Sequence, residues 1–312
     1  MPERMPEISV VSPVFNEQEV VQSFYDQVSG VLSRAGMDYE IVFVNDGSTD
    51  GSLDILKACQ GASGGRVRVI SLARNFGHQI AITAGERNAR GRAVVVMDCD
   101  LQDPPQMILE FVAKWRAGYN VVYGVRTERK GESFFKRWTA SLFYTILRKM
   151  ANVDIPSNVG DFYLLDRKVV DVLNQMDEHH RFIRGLIAWM GFRRIGVPYV
   201  REPRFAGKTK FGFWRMLKFS FDAITSFSFF PLRLIAVFGA VISFLAFLGI
   251  LAAVYMKFFV PSVSLGWSSL MVVLLFIGGI QLLAIGVIGE YLARIGDDVK
   301  RRPLYTVQEV IE

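Results

Sequence analysis

Short apolar runs alternate with amphipathic stretches along the first two thirds of the chain. Runs at Ile8–Val11, Glu40–Val44, Val67–Ser71, Ala93–Met97 and Asn120–Tyr123 have the length and β-branched content of buried strands. Between them, Glu17–Ala35, Ser52–Gln60 and Pro105–Ala117 repeat their apolar positions at helical spacing. This alternation predicts an α/β domain over residues 1–210, built on a mainly parallel sheet covered on both faces. Ligands on such sheets sit beyond the carboxyl ends of the strands. Here those ends are polar.

The pattern changes near residue 211. Aromatic residues mix with Arg215, Lys218 and Asp222 up to Phe230, which predicts an amphipathic juxtamembrane segment over 211–232. No charge then occurs in the 23 positions between Arg233 and Lys257, or in the 32 between Lys257 and Glu290. A spanning helix needs about 20 apolar residues, so residues 233–293 read as a two-helix transmembrane hairpin, broken near Pro261. Arg215, Lys218 and Arg233 precede it, and Arg294, Lys300, Arg301 and Arg302 follow. The basic residues predict that the α/β domain, both termini and a tail over 294–312 face the cytoplasm, with the turn outside. The first residues, MPERMPEISVV, do not read as a signal peptide. The expected location is the inner or plasma membrane.

Composition then narrows the chemistry. Hydrophobic residues make up 51% of 312 positions, yet 21% are charged, so disorder is excluded. Two Cys and three His leave too little material for a disulfide scaffold or a zinc enzyme. A net charge of +6 points to an anionic partner. Much of that excess flanks the spans, where topology accounts for it, so a nucleic-acid partner is not expected.

The strand ends carry the candidate chemistry. Pro13-Val14-Phe15-Asn16-Glu17 follows the first strand, and Asn45-Asp46-Gly47-Ser48-Thr49-Asp50 the second. The latter also reads as a turn in which Asp50 or Ser52 caps the next helix. The fourth strand ends in Asp98-Cys99-Asp100-Leu101-Gln102-Asp103-Pro104-Pro105. Carboxylates two residues apart on an extended chain emerge on one side. Together they can hold a hard cation, Mg²⁺ or Mn²⁺, that neutralises a diphosphate.

With Ala73-Arg74-Asn75-Phe76-Gly77-His78-Gln79, these motifs resemble family 2 glycosyltransferases of the GT-A fold, and more narrowly the polyprenyl-phosphate branch that includes dolichyl-phosphate mannose synthases and bactoprenol glucosyltransferases. The resemblance implies a Rossmann-like GT-A domain followed by interface helices and two spans. It implies that Pro13, Val14, Glu17 and Asp46 line the nucleotide pocket. Asp98 and Asp100 would face diphosphate and metal, with Gln102 nearby. Arg126 and Asp161 match a phosphate-binding and a proposed catalytic position. Arg204 and Lys208 match a basic segment that meets phosphates near the membrane, and Arg137 and Ser141 an acceptor-phosphate pair. The family's D-F-R-L reads Asp161-Phe162-Tyr163-Leu164 here, so the role of that Arg would pass to Arg126, Arg181 or Arg184. His78 reads as a structural loop histidine, and His179 and His180 as exposed.

The implied reaction is inverting transfer of one sugar, first choice glucose from UDP-glucose, to undecaprenyl phosphate at the cytoplasmic face. UDP-GlcNAc or GDP-mannose are alternative donors, and a homo-oligomer is implied. A processive polysaccharide synthase would carry Q-x-x-R-W, which is missing. A non-catalytic membrane scaffold or transport partner would have no need of the intact acids.

Overall fold

The computed structural model describes residues 5–127, 158–202, 228–259 and 267–312. Five buried runs become strands: β1 (Ile8–Val14), β2 (Tyr39–Asn45), β3 (Val67–Leu72), β4 (Ala93–Val96) and β5 (Val121–Arg126). The first four are buried along their whole length, as a sheet covered on both faces requires. Three further strands, β6 (Val159–Asp166), β7 (Arg194–Tyr199) and β8 (Val307–Ile311), complete one sheet in the order β7-β5-β6-β4-β1-β2-β3-β8. The pairs β1–β2, β1–β4, β2–β3 and β5–β7 are parallel; β6 runs antiparallel to β4 and β5, and β8 antiparallel to β3. The sheet is mixed and mostly parallel, the GT-A arrangement.

Helices cover both faces. Helices α1 (Val21–Arg34), α2 (Ser52–Ala62) and α4 (Met107–Arg116) bury Phe24, Leu56 and Phe111 against Phe43 and Phe162. On the other face α3 (His78–Asn88), α5 (Arg167–Asn174) and α6 (Ile183–Trp189) pack Ile82, Val170 and Ile183 against Val11, Val44 and Tyr163. Helix α3 crosses the strands closely at Gly85, where a Cβ would stand 2.2 Å from Val11 Cγ1.

Two helices remain, α7 (Phe230–Phe259) and α8 (Trp267–Lys300), both long and apolar enough to cross a membrane. Most of their described side chains are exposed, with Val237, Phe244 and Leu282 each more than 60% accessible, while Tyr291 and Arg294 near the end of α8 are buried. At 1.5 Å per residue α8 is about 50 Å long, roughly 20 Å more than a hydrocarbon core. Its charged last turns carry the surplus. Tyr291 on α8 donates to the Ser228 carbonyl at 2.6 Å and stacks on Phe229, closing the base of the hairpin.

The last strand is a departure from the expected tail. β8 returns to the sheet edge beside β3, where Lys57 meets Glu309 at 3.0 Å and Glu312 bridges Arg68 and Arg90. Five half-exposed residues carry too little periodicity to announce a strand. The sheet edge supplies the missing partner.

Candidate active site

The loops after β1 and β2 are laced together at the carboxyl edge of the sheet. Asn16, at φ 54°, donates its amide to Ser48 Oγ and accepts from the Thr49 amide at 2.8 Å. Glu17 N–H reaches Ser52 Oγ at 2.9 Å. Asn45 Oδ1 accepts from Ser48 N–H, and Asp50 Oδ1 from Ser52 N–H at the start of α2. The turn reading of this motif therefore holds, while the N-cap of α2 is Gly51, with Asp50 one residue earlier meeting the Ser52 amide. Pro13 and Val14 are buried beneath these loops.

Asp46 is also buried and uses both carboxylate oxygens on the next loop. Oδ1 accepts from Phe76 N–H at 2.7 Å and Oδ2 from Gly77 N–H at 3.0 Å. Burial raises its pKa, and the two amides oppose that. Its direct work is to fix the turn that delivers His78 to the head of α3.

His78 stands between two acids from different strands. Nε2 lies 3.5 Å from Asp98 Oδ1 and 3.3 Å from Asp161 Oδ2. Burial would lower the imidazole, but the two carboxylates win and raise it to about 9. Asp161, on β6, receives more. Arg184 Nε donates to Oδ1 at 2.9 Å and Gln79 Nε2 to Oδ2 at 3.0 Å. Burial opposes ionisation there, yet Arg184 and His78 hold the carboxyl well below the usual range. Asp98 differs: burial pushes it up to about 6, with the neighbouring acids adding to the effect and His78 opposing it.

A third group holds the D-x-D loop. Asp100 Oδ1 accepts from Gln102 N–H at 3.2 Å. Gln102 and Glu202 exchange backbone and side-chain bonds, tying this loop to the chain beyond β7. Asp103, 1% exposed, accepts from the Tyr199 hydroxyl and lies 3.4 Å from Arg201 Nε. The same hydroxyl accepts from Arg126 Nε at 3.2 Å. Arg126 lies flat over Gly160, where a Cβ would come within 2.2 Å of its guanidinium. Arg184, from the first turn of α6, thus meets Asp161 directly, while Arg126, at the end of β5, lies against its neighbour Gly160.

The motifs, their strand ends and their order match the model of Glycosyl transferase family 2 over residues 9–173. Among curated relatives, the glycosyltransferase YkcC of Bacillus subtilis is 50% identical, over 96% of this chain and 93% of its own. The chain belongs to glycosyltransferase family 2. The prophage bactoprenol glucosyl transferase homolog of Escherichia coli is 40% identical over 97% of this chain and 99% of its own. The bactoprenol glucosyl transferase of Shigella phage SfII is 40% identical over 97% of each chain. Glucosyl-3-phosphoglycerate synthase of Mycobacterium tuberculosis, solved with Mn²⁺ and UDP-glucose, superposes with a TM-score of 0.48 at 22% identity, over 70% of this chain and 78% of that one.

Within this family 2 site, the Tyr163 departure has a structural answer. Tyr163 points away from the cleft into the α3 face, where its hydroxyl donates to Glu86 Oε1 at 3.0 Å. Of the three arginines able to replace a cationic partner, Arg181 bonds the Leu173 and Met176 carbonyls and Arg126 pairs with Tyr199. Arg184 alone of the three bonds Asp161. His78 is a hydrogen-bonded structural histidine, as expected, with Asp98 and Asp161 as its partners. Arg184, one of the three expected candidates, is the arginine that meets Asp161, whereas Gln79, Asp103 and Tyr199 carried no individual signal in the sequence. Asp103 sits inside the quoted D-L-Q-D-P-P motif, and its buried pairing with a distant tyrosine gave no local signal. Arg137, Ser141, Arg204 and Lys208 lie outside the described residues.

Among the described residues no three His, Cys, Asp or Glu side chains gather as a metal cage. Asp98 and Asp100 nonetheless fit a cation that brings its other ligands from water and substrate. Both donors are hard oxygens, and the buried Asp98 Oδ1 receives no hydrogen bond. Mg²⁺ characteristically keeps several waters and takes only one or two carboxylates.

Proposed function

We propose that the enzyme transfers a single sugar from a nucleotide-sugar, first choice UDP-glucose, to the phosphate of a polyprenyl carrier at the cytoplasmic membrane face. The observation that carries this reading is the agreement with bactoprenol glucosyl transferases over 97% of the chain, apolar helices included. On this reading residues 1–210, closed by β8, form the catalytic domain, 211–232 lies along the bilayer and 233–293 crosses it twice. The return of β8 to β3 supports an even number of crossings.

A phosphate monoester with a second pKa near 6 is largely dianionic at neutral pH. It needs alignment with the sugar anomeric carbon more than it needs a base. Asp161, ionised and held by Arg184 and Gln79, is suited to accept hydrogen bonds from a sugar hydroxyl; its low proton affinity makes it a poor base. Arg126 faces the same cleft and offsets phosphate charge, as Arg204, Lys208, Arg137 and Ser141 are proposed to do for the acceptor. Mg²⁺ or Mn²⁺ held by Asp98 and Asp100 would supply charge neutralisation for the leaving diphosphate. Pro13, Val14 and Glu17 line the nucleotide side, and Asp46 shapes it through the 73–77 loop.

The test is transfer to undecaprenyl phosphate in nanodiscs, using labelled UDP-glucose, UDP-GlcNAc and GDP-mannose with either cation. One donor should label the lipid, and Asp100→Asn should not. Nucleotide binding without transfer from any donor would overturn the acceptor assignment. No nucleotide binding would overturn the reaction.

A further inference from the structure

The far end of α8 is keyed into the α/β domain at the loop that precedes α6. Asp298 Oδ1 accepts from the backbone N–H of His179 at 3.0 Å. The next pair, His180 Nε2 and Asp297 Oδ2, stands at 3.2 Å. Two consecutive residues of one helix thus grip two consecutive residues of one loop. That loop is short and stiffly held: Arg181 ties it back to the Leu173 and Met176 carbonyls at the end of α5. It leads directly into the first turn of α6. There Ile183 N–H donates to Gln79 Oε1 at 3.2 Å, while the other end of the same amide donates to Asp161. Arg184, one residue on, binds Asp161 and the Val159 carbonyl.

Exposed ion pairs add little to stability, so stability alone gives these contacts little purpose. Their placement gives them another. A single attachment would leave α8 free to swivel on the sheet. A second attachment exists: beyond α8, Tyr305 packs on the α3–α5–α6 face and β8 pairs with β3. Two anchors from one helix fix its orientation relative to the strands.

We propose that Asp297, Asp298, His179 and His180 are positioning residues for sugar transfer, setting the first turn of α6 and, through Gln79 and Arg184, the orientation of Asp161 over the membrane hairpin. This rests on the lipid-phosphate reading above. It assigns the hairpin a part in aligning the reaction as well as in retaining the enzyme at the bilayer.

The experiment compares full-length wild type, the Asp297→Ala/Asp298→Ala double variant, Arg184→Lys and their combination in nanodiscs. The double variant should lose about five- to tenfold in kcat at unchanged donor KM and unchanged Tm. Added to Arg184→Lys, it should cost little more, because both act on one carboxylate. Amide exchange at residues 183–186 and 159–161 should quicken in the double variant. An exchange of partners, Asp297→His with His180→Asp, should restore both rate and protection. Additive losses, unchanged kcat or unchanged exchange would overturn the proposal. If the double variant unfolds, failure of the exchanged pair to restore exchange protection overturns it. If the wild type transfers no sugar, the lipid-acceptor reading fails, and amide exchange still decides whether α8 sets α6.

Discussion

Asp98 and Asp161 lie on either side of one imidazole and behave in opposite ways. Asp161 is met by Arg184, Gln79 and His78, and stays ionised deep into acid. Asp98 has a buried oxygen without a hydrogen bond and is pushed up to about 6. The difference lies in who supplies the compensating charge. The protein itself provides it for Asp161. Asp98 has a share of the same imidazolium but meets no arginine or amide among the described residues, and on the proposed reaction a cation arriving with substrate would complete its compensation.

The strongest test of this contrast removes the under-compensated side. Asp98→Asn or Asp100→Asn should lower transfer by about 10³-fold or more, measured as lipid labelling, with the fold intact by Tm. Next, Arg184→Gln should cost about 10²-fold in kcat. It should also introduce an acid limb in the rate profile that wild type lacks, because Asp161 would then titrate nearer an ordinary carboxylate value. An unchanged profile would show that His78 and Gln79 suffice. On the Asp98 side, Mn²⁺ binding without nucleotide, followed by electron paramagnetic resonance, should weaken as pH falls through about 6, since protonation competes with the cation there.

The smallest effect concerns the acid behind Tyr163. Glu86 is fully buried, and burial pushes it up from 4.5 to about 7, so the folded state holds a proton that the unfolded state releases. Its contribution is therefore complete below 4.5 and lost as pH rises towards 7. Glu86→Gln should gain on wild type over that interval, by roughly 2–4 °C in Tm at neutral pH.

Much of this contrast could be anticipated, and much could not. Strands β1 to β4 declare themselves because each is a short run rich in β-branched apolar residues. β6 was not foreseen, since Gly160 and Asp161 interrupt its apolar beginning, and β8 was too short and too exposed. The two acids were found through their motifs. Their opposite behaviour was not legible, because it depends on partners far away in sequence: Gln79 is 82 residues from Asp161, and Tyr199 is 96 from Asp103. Asp46 shows the converse. Its motif marked it correctly as important, while only the structure shows that its oxygens serve the Phe76 and Gly77 amides.

The pairing of β8 with β3 also sets an order of events during synthesis. β3 is complete long before the ribosome reaches Val307, and until then its outer edge has no strand beside it. The strand that covers it emerges only after both apolar helices have left the exit tunnel. A chain whose hairpin failed to insert would carry β8 on a tether of unhoused apolar helix, with the sheet edge still open to other chains. Closure of the sheet is thus a late step of folding, completed only after both apolar helices have been made.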